Sequence, residues 1–271
     1  VAGAGTAAAL DMTRASLALA WRSHRGLVRR RNEDAVSCLP DIGVVLVADG
    51  MGGAPAGDVA SDTAVHVIGE RFARQPPPVD APDVAQRLAA AAIDEANDAI
   101  IRLAAQRQGC AGMGTTLVMG CFGADWLVHA HVGDSRLYRL RAGVLTQLTK
   151  DHSLIQEMVD QGLFSSLDEA RRSGVNEHIL TTALGATPRV EPAVAISNLA
   201  AGDRYLFCTD GLSGMLAPRE LCAVLDTAGG LDSTAGTLVR AANAQGGADN
   251  ITLALVRVDG LADRCTPAAD G

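Results

Sequence analysis

Five short stretches of this chain carry an aspartate beside a glycine, a turn or the end of an apolar run. They are Arg29 to Asp34 (RRRNED), Ala48 to Gly53 (ADGMGG), His131 to Arg136 (HVGDSR), Thr209 to Gly211 (TDG) and Gly246 to Asn250 (GGADN). A carboxylate at the mouth of a strand places a hard divalent cation where a substrate can reach it, and such cations take oxygen ligands. Asp49 closes the apolar run IGVVLVA with Gly50 behind it, so that carboxylate and backbone carbonyl can face one ion. Asp210 repeats this after YLFC, and Asp249 stands just before the last apolar run. Any one of these is matched by a plain glycine turn. Three independent strand-end aspartates point instead to a metal centre.

Arg29, Arg30 and Arg31 precede Asn32, Glu33 and Asp34. A basic–acidic run is usually a solvated face with weak ion pairs. Here it offers a guanidinium for phosphate oxygens beside carboxylates for metal-bound water. Asp134 falls in a tight turn between two strands, where an Asx turn competes with a metal role.

The elements that must position these groups are legible in outline. The 271 residues allow one large domain or two small ones, and 48% hydrophobic content with only 3% aromatics makes the core Val, Leu, Ile and Ala. Ala15–Trp21 and Ile42–Ala48 read as strands, the second buried on both faces. Gly57–Arg74 reads as a helix stopped by Pro76–Pro78. A second helix, Pro82 to Gln108, sets Leu88, Ala92, Ala96, Ile100 and Leu103 on one stripe. Thr115–Phe122, Trp126–Val132, Ser135–Arg141 and Val144–Leu148 follow as an antiparallel meander with short Gly/Asp breaks. Ser153–Ser173 reads as helical, followed by strands Val190–Ser197 and Arg204–Cys208. Helices Pro218–Leu225 and Ser233–Ala244 and a closing strand Ile251–Val258 complete the chain. Elements grouped in blocks, without strict βαβ alternation, argue for a single α+β sandwich over a Rossmann sheet.

Composition excludes several partners. Lys plus Arg is 23 and Asp plus Glu is 31, so the net charge is 23 − 31 = −8, which argues against nucleic acid. No apolar run approaches the roughly 20 residues that span a bilayer, so no membrane association is expected. Cys38, Cys110, Cys121, Cys208, Cys222 and Cys265 show neither a CxxC pair nor zinc spacing. Reduced thiols in a cytoplasmic protein are the expectation. Residues 1–12 read as a disordered leader and residues 259–271 as a small-residue tail, leaving a catalytic domain over 13–258.

The ordered set RxxxED, ADGMGG, GMGTTL, HVGDSRLYRL, TKDHSL, LTTALG, LFCTDGL and GGADNITL resembles the protein phosphatase 2C-like family, the metal-dependent (PPM) Ser/Thr phosphatases, in its bacterial form. The matching segments run from about Gly26 to Val258. The resemblance implies a four-layer α-β-β-α sandwich of two antiparallel β-sheets flanked by helices. It implies that Asp49 bridges two Mn²⁺ or Mg²⁺ ions, with the Gly50 carbonyl on the first and Asp210 and Asp249 on the second. Glu33 and Asp34 would hold metal-bound waters, Arg29 would grip the phosphate and Asn250 would support the site. Asp134, with Asp210, would hold a third ion. The segment from about Lys150 to Gly185, rich in small and charged residues, resembles a mobile flap over the cleft.

The implied function is hydrolysis of phosphoserine and phosphothreonine by direct attack of a metal-bridging hydroxide, in signalling. The expected partners are phosphorylated proteins, a cognate Ser/Thr kinase or a forkhead-associated-domain protein among them, acted on by a monomer. A narrow regulatory phosphatase with one dedicated partner is one alternative, and a catalytically silent phosphoprotein-binding module another. Asp49, Asp210, Asp249 and Arg29 standing together speak against silence. Met51 stands where many eukaryotic members carry a histidine proposed as general acid, and a thioether donates no proton. His24, where bacterial relatives usually have aspartate, reads as a surface side chain. His152 reads as an N-cap or turn residue ordering the flap base, and Met113 and Met119 as core.

Overall fold

The computed structural model describes residues 14–51 and 56–262. The expected leader, most of the expected tail, Gly52, Gly53 and Cys265 lie outside the described residues. The strands are β1 (Ser16–His24), β2 (Asp34–Leu39), β3 (Val44–Met51), β4 (Gly114–Thr115), β5 (Leu117–Phe122), β6 (Trp126–Val132), β7 (Arg136–Arg141), β8 (Val144–Gln147), β9 (Ala193–Asn198), β10 (Arg204–Cys208) and β11 (Ile251–Gly260). The helices are α1 (Gly57–Arg74), α2 (Pro82–Gln106), α3 (Leu154–Asp160), α4 (Leu167–Arg172), α5 (Asp210–Ser213), α6 (Pro218–Leu225) and α7 (Leu231–Ala244).

Two antiparallel sheets form. The first has the order β1-β11-β10-β7-β8, and the second β2-β3-β5-β6-β9 with β4 paired to β3. The period of two in a strand decides which side chains meet. Along β3, Val45 and Val47 enter the core between the sheets, whereas Val44, Leu46 and Ala48 pack outward under α1 and α2. Along β10, Tyr205 and Phe207 face the inter-sheet core, while Leu206 and Cys208 pack outward with Leu221 and Leu225 of α6 and Leu238 of α7. Each sheet is therefore buried on both faces, and the expected α-β-β-α order of layers results. Three aromatics lie between the sheets: Phe122 meets Tyr205 and Phe207 edge-on at centroid distances of 5.5 and 6.4 Å.

Three expectations are corrected. The strands from Leu117 to Gln147 are not one meander: β5 pairs with β6 and β7 with β8, but β6 and β7 lie in different sheets. The Gly133–Asp134 turn thus carries the chain across the sandwich. Ser153–Ser173 is two short helices, broken at Gly162 with φ of 74°. β2 was not foreseen, because Glu33-Asp34 reads as loop chemistry and the segment is short and mixed. The closing strand also runs two residues further than expected, to Gly260. Cys38, Cys110, Cys121, Cys208 and Cys222 are free, with burial pushing Cys38 up to about 11 and Cys121 and Cys208 up to about 12. No helix among the described residues is long and apolar enough to cross a membrane.

The sheet-to-sheet spacing depends on Gly120, whose added Cβ would lie 2.6 Å from Cζ of Phe207. Both sites are fully buried, so the ring has no free space to move into. Gly120→Ala is expected to cost about 1–3 kcal/mol through overpacking, read as a lower urea midpoint at unchanged m-value. An unchanged midpoint would show that the two sheets yield freely.

Candidate metal centre

The register of the second sheet sets Asp34 directly opposite Asp49. Directly opposed residues of an antiparallel pair point to the same face, and both continue the inter-sheet rows of their strands. From the first sheet, Asp210 follows β10 at the start of α5, and Asp249 stands two residues before β11. Those two strands are paired, so the second pair of aspartates also stands at one end of its sheet. Asp134 comes from the turn that joins the two sheets. The sandwich therefore brings Asp34, Asp49, Asp134 and Asp210 close enough to act on one another's ionisation, with Asp249 acting on Asp34.

Hydrogen bonds fix the backbone at each position. The Asp49 amide donates to Oγ1 of Thr116 at 3.0 Å, and its carbonyl accepts from the Thr116 amide at 2.9 Å and the Thr115 hydroxyl at 2.9 Å. The Gly50 amide donates to the Glu33 carbonyl at 3.1 Å, tying β3 to the acidic loop. A Cβ at Gly50 would lie 2.1 Å from the Gly57 carbonyl oxygen, and one at Gly211 would lie 1.9 Å from the Asn250 carbonyl oxygen. No side chain fits at either crossing. The Thr209 hydroxyl donates to Oδ2 of Asp34 at 3.0 Å.

Asn250 acts as a clamp. Its Oδ1 accepts from the Glu33 amide at 2.8 Å, and its Nδ2 donates to the carbonyls of Arg25 at 2.9 Å and Arg31 at 2.8 Å. One buried amide thereby positions the whole segment that carries Arg29 and Glu33. Arg29 places Nη2 2.6 Å from Oδ2 of Asp249, so the guanidinium lies at the rim of the carboxylate group and also feels Asp49 and Asp210.

The electrostatics are those of crowded negative charge. Burial pushes Asp34 up to about 7, against hydrogen bonds from Thr252 and Thr209 and with help from Asp210 and Asp249. Burial, then Asp210 and Asp151, push Asp134 up to about 7. Asp49 is raised well above the carboxylate range by burial and by Asp34 and Asp210. Burial also opposes ionisation of Asp210, but the nearby His178, 3.7 Å away, and the Arg29 guanidinium favour the charged form, and its carboxyl lies below the usual range. Glu33, at the edge, is raised by burial and by Asp58.

Whether a cation fits can be read from the oxygens. Oδ1 of Asp34 and Oδ1 of Asp210 are buried without a hydrogen-bond partner, and a buried carboxylate oxygen without a donor is costly unless a cation or water meets it. Among the described residues, no three Asp, Glu, His or Cys side chains enclose a point by themselves. The carboxylate oxygens that do converge here are the donors that hard ions such as Mg²⁺ and Mn²⁺ take, and not the Cys and His of a closed zinc cage. The donor set is all oxygen, and it fits.

The flap segment is tied down at both ends. Arg136 forms a bidentate ion pair with Asp151, the His152 amide donates to the Gly133 carbonyl at 3.0 Å, and Leu184 and Thr115 exchange backbone hydrogen bonds. His152 also accepts from the Gly133 amide through Nδ1 and lies against His131 at 4.6 Å, a turn role, while Ser153 caps α3. Between Gln156 and Thr182 only Ala170 is buried, so the span is thinly packed. From it His178 reaches to 3.7 Å of Asp210, a residue that no sequence pattern singled out. Thr115, Thr116 and Thr209 were also passed over, although GMGTTL and TDG hold them within the motifs. His24 is exposed and accepts from the Gly26 amide at 2.9 Å. Met51 ends β3, and Met113 and Met119 are core.

Comparison with known proteins agrees with this arrangement. The family model described as protein phosphatase 2C matches residues 23–253. A serine/threonine phosphatase, stp, of Listeria monocytogenes is 37% identical over 242 residues, covering 88% of this chain and 95% of that one. The crystal structure of the Mycobacterium tuberculosis serine/threonine phosphatase PstP/Ppp superposes with a TM-score of 0.81 at 35% identity, covering 90% of this chain and 99% of that one. A structure of the catalytic domain of PstP with two manganese ions gives 0.78 at 36% identity, covering 89% and 97%. The fold and these matches define a phosphatase of the protein phosphatase 2C type. The chain belongs to the protein phosphatase 2C family, in its bacterial PPM-type branch.

The carboxylate group makes the metal-free protein sensitive to pH in a defined sense. Asp34 and Asp134 titrate near 7 in the fold and near 3.8 when unfolded. Between those values the native state binds more protons than the unfolded state, so unfolding free energy falls as pH rises. After EDTA treatment, Tm is expected to fall as pH rises from about 5 to about 8. Excess Mn²⁺ should raise Tm most at the upper end. A metal-free Tm that climbs across this range would contradict the crowded-carboxylate account.

Proposed function

We propose that this chain is a serine/threonine protein phosphatase that depends on Mn²⁺ or Mg²⁺ and acts on phosphoserine and phosphothreonine in proteins. The observation that carries the reading is the pair of buried, partnerless oxygens on Asp34 and Asp210, with the Arg29 guanidinium near enough to act on Asp210. The manganese-bound PstP catalytic domain, of the same family, supports it.

In this reading Asp49, the Gly50 carbonyl, Asp210 and Asp249 would hold the ions. Asp134, with Asp210, would serve a further one. Bound there, such ions would neutralise charge on a phosphomonoester and lower the pKa of a coordinated water. Asp34 keeps Oδ2 on the Thr209 hydroxyl and turns Oδ1 to that water as a proton acceptor. Glu33 orients a further water from the edge. Arg29 holds the outer phosphoryl oxygens and offsets the charge that grows on them. Its present partner, Asp249, keeps the fork aimed into the site. Asn250 touches no substrate and positions the loop. Met51 offers no proton, so protonation of the leaving serine or threonine oxygen falls to water or another group.

Asp49→Asn is expected to abolish hydrolysis of p-nitrophenyl phosphate and to weaken Mn²⁺ binding by calorimetry. Near-normal turnover at saturating Mn²⁺ would remove Asp49 from the ligands of the ions. Arg29→Ala forfeits a charge-assisted hydrogen-bond pair worth about 1.5–3 kcal/mol, so kcat/KM should fall about ten- to a hundredfold, with KM raised and kcat lowered. A change confined to Tm, with kinetics intact, would leave Arg29 only its pairing with Asp249.

A further inference from the structure

The segment Arg25–Arg31 is a closed excursion, since the Asn250 amide donates to the carbonyls at both of its ends. Gly26 is buried within it, while Leu27, Val28, Arg30 and Arg31 point to solvent. Leu27 and Val28 are 62% and 68% exposed, among the most exposed large aliphatic side chains described. The Leu27 amide is held by the Gly247 carbonyl at 2.8 Å, and the Arg30 carbonyl accepts from Arg25 at 3.5 Å. The loop is thus fixed in shape while its tips are bare. Arg22 and Arg29 pair with Asp232 and Asp249, but among the described residues neither Arg30 nor Arg31 forms a salt bridge. These two guanidinium groups adjoin the arginine assigned to the phosphate, and Arg31 also acts on the ionisation of Glu33.

We propose that this loop reads the protein substrate beside the phosphorylated residue. Arg30 and Arg31 take acidic side chains, and Leu27 and Val28 cover an aliphatic one. The proposal rests on the phosphatase reading above and names the substrate class of that same site. Charge complementarity selects the occupant: Arg30 and Arg31 hold exposed positive charge beside Arg29, which draws an acidic flanking side chain and disfavours a basic one. Anchoring by Asn250 means that little loop entropy is lost on docking. Exposed ion pairs are individually weak and screened by salt. Two of them correspond to a preference of about two- to thirtyfold, largest at low ionic strength.

The test compares p-nitrophenyl phosphate with two phosphoserine peptides, one flanked by Glu and Leu and one by Lys and Gly, with Mn²⁺ present. The wild-type chain should favour the acidic peptide within the stated range, with the difference in KM. Arg30→Glu with Arg31→Glu should reverse the order while p-nitrophenyl phosphate turnover stays within about twofold. Arg30→Lys with Arg31→Lys should retain the order, and Leu27→Ser with Val28→Ser should raise KM for the acidic peptide alone. Turnover of p-nitrophenyl phosphate without any peptide preference, or a preference that survives charge reversal, overturns the loop's role and leaves the phosphatase reading standing. Absence of turnover on every substrate overturns the phosphatase reading, and the loop's role with it.

Discussion

Everything at this site follows from one cost: several carboxylates are held close together away from bulk water. Like charges in such surroundings repel strongly, and each also loses hydration. No local sequence preference would gather them. The sandwich does so by geometry, with Asp34 and Asp49 from the end of one sheet, Asp210 and Asp249 from the end of the other, and Asp134 from the crossing between them. Separation of the two pairs is set by what fills the space between the sheets, which is Phe122, Tyr205, Phe207 and the inward valines. These three aromatic rings stand where they help fix the distance across which the carboxylates meet. Packing energy in the core thereby offsets electrostatic strain at its rim.

That view separates what was legible in the sequence from what was not. Strand ends were legible, because an apolar run closing on Asp-Gly marks both where a strand stops and which residue stands at its mouth. Asp49 and Asp210 are of this kind. Helices α1 and α6 were placed to the residue, since proline and glycine punctuation bounded them. The partition of strands between sheets was hidden. A break such as Val132-Gly133-Asp134-Ser135 looks the same whether the chain turns back in one sheet or passes to the other. The difference lies in what the distant β9 and β10 pair with. β2 was hidden for a related reason: its pairing with β3 is long-range in energy even though the strands are neighbours in sequence. Thr209 and Asn250 gained their roles only from the folded state. Asn250 was expected to support the site, but not to hold both ends of a loop more than two hundred residues away.

Two glycines show how little freedom the arrangement leaves. At Gly50 and Gly211 a neighbouring backbone carbonyl passes within 2.1 and 1.9 Å of where a Cβ would sit. The contacts join β3 to the start of α1, and α5 to the segment entering β11. In both cases the glycine follows directly on an aspartate of the centre. The absence of a side chain allows backbone from another element to back the carboxylate closely. The Asp-Gly pairs are therefore explained by packing against a third segment, not by turn formation alone: neither Gly50 nor Gly211 has a positive φ.

The same logic distinguishes the core of the site from its surroundings. Thr115, Thr116 and Thr209 hold the carboxylate backbone and side chains through short hydrogen bonds in a buried setting, which leaves the chemistry little room to vary. The segment from Gln156 to Thr182 is secured at its ends by Arg136–Asp151 and by backbone bonds to Gly133 and Thr115, yet is almost wholly exposed between them. The loop from Arg25 to Arg31 is secured in the same manner, by Asn250. Both elements bordering the centre are fixed where they leave the sandwich and unconstrained by packing at their tips. Apart from Arg29, which pairs with Asp249, and His178, which reaches Asp210, side chains at those tips can change identity without disturbing the carboxylates. A scaffold built this way keeps its reacting geometry constant while the surface presented to different protein substrates is free to differ.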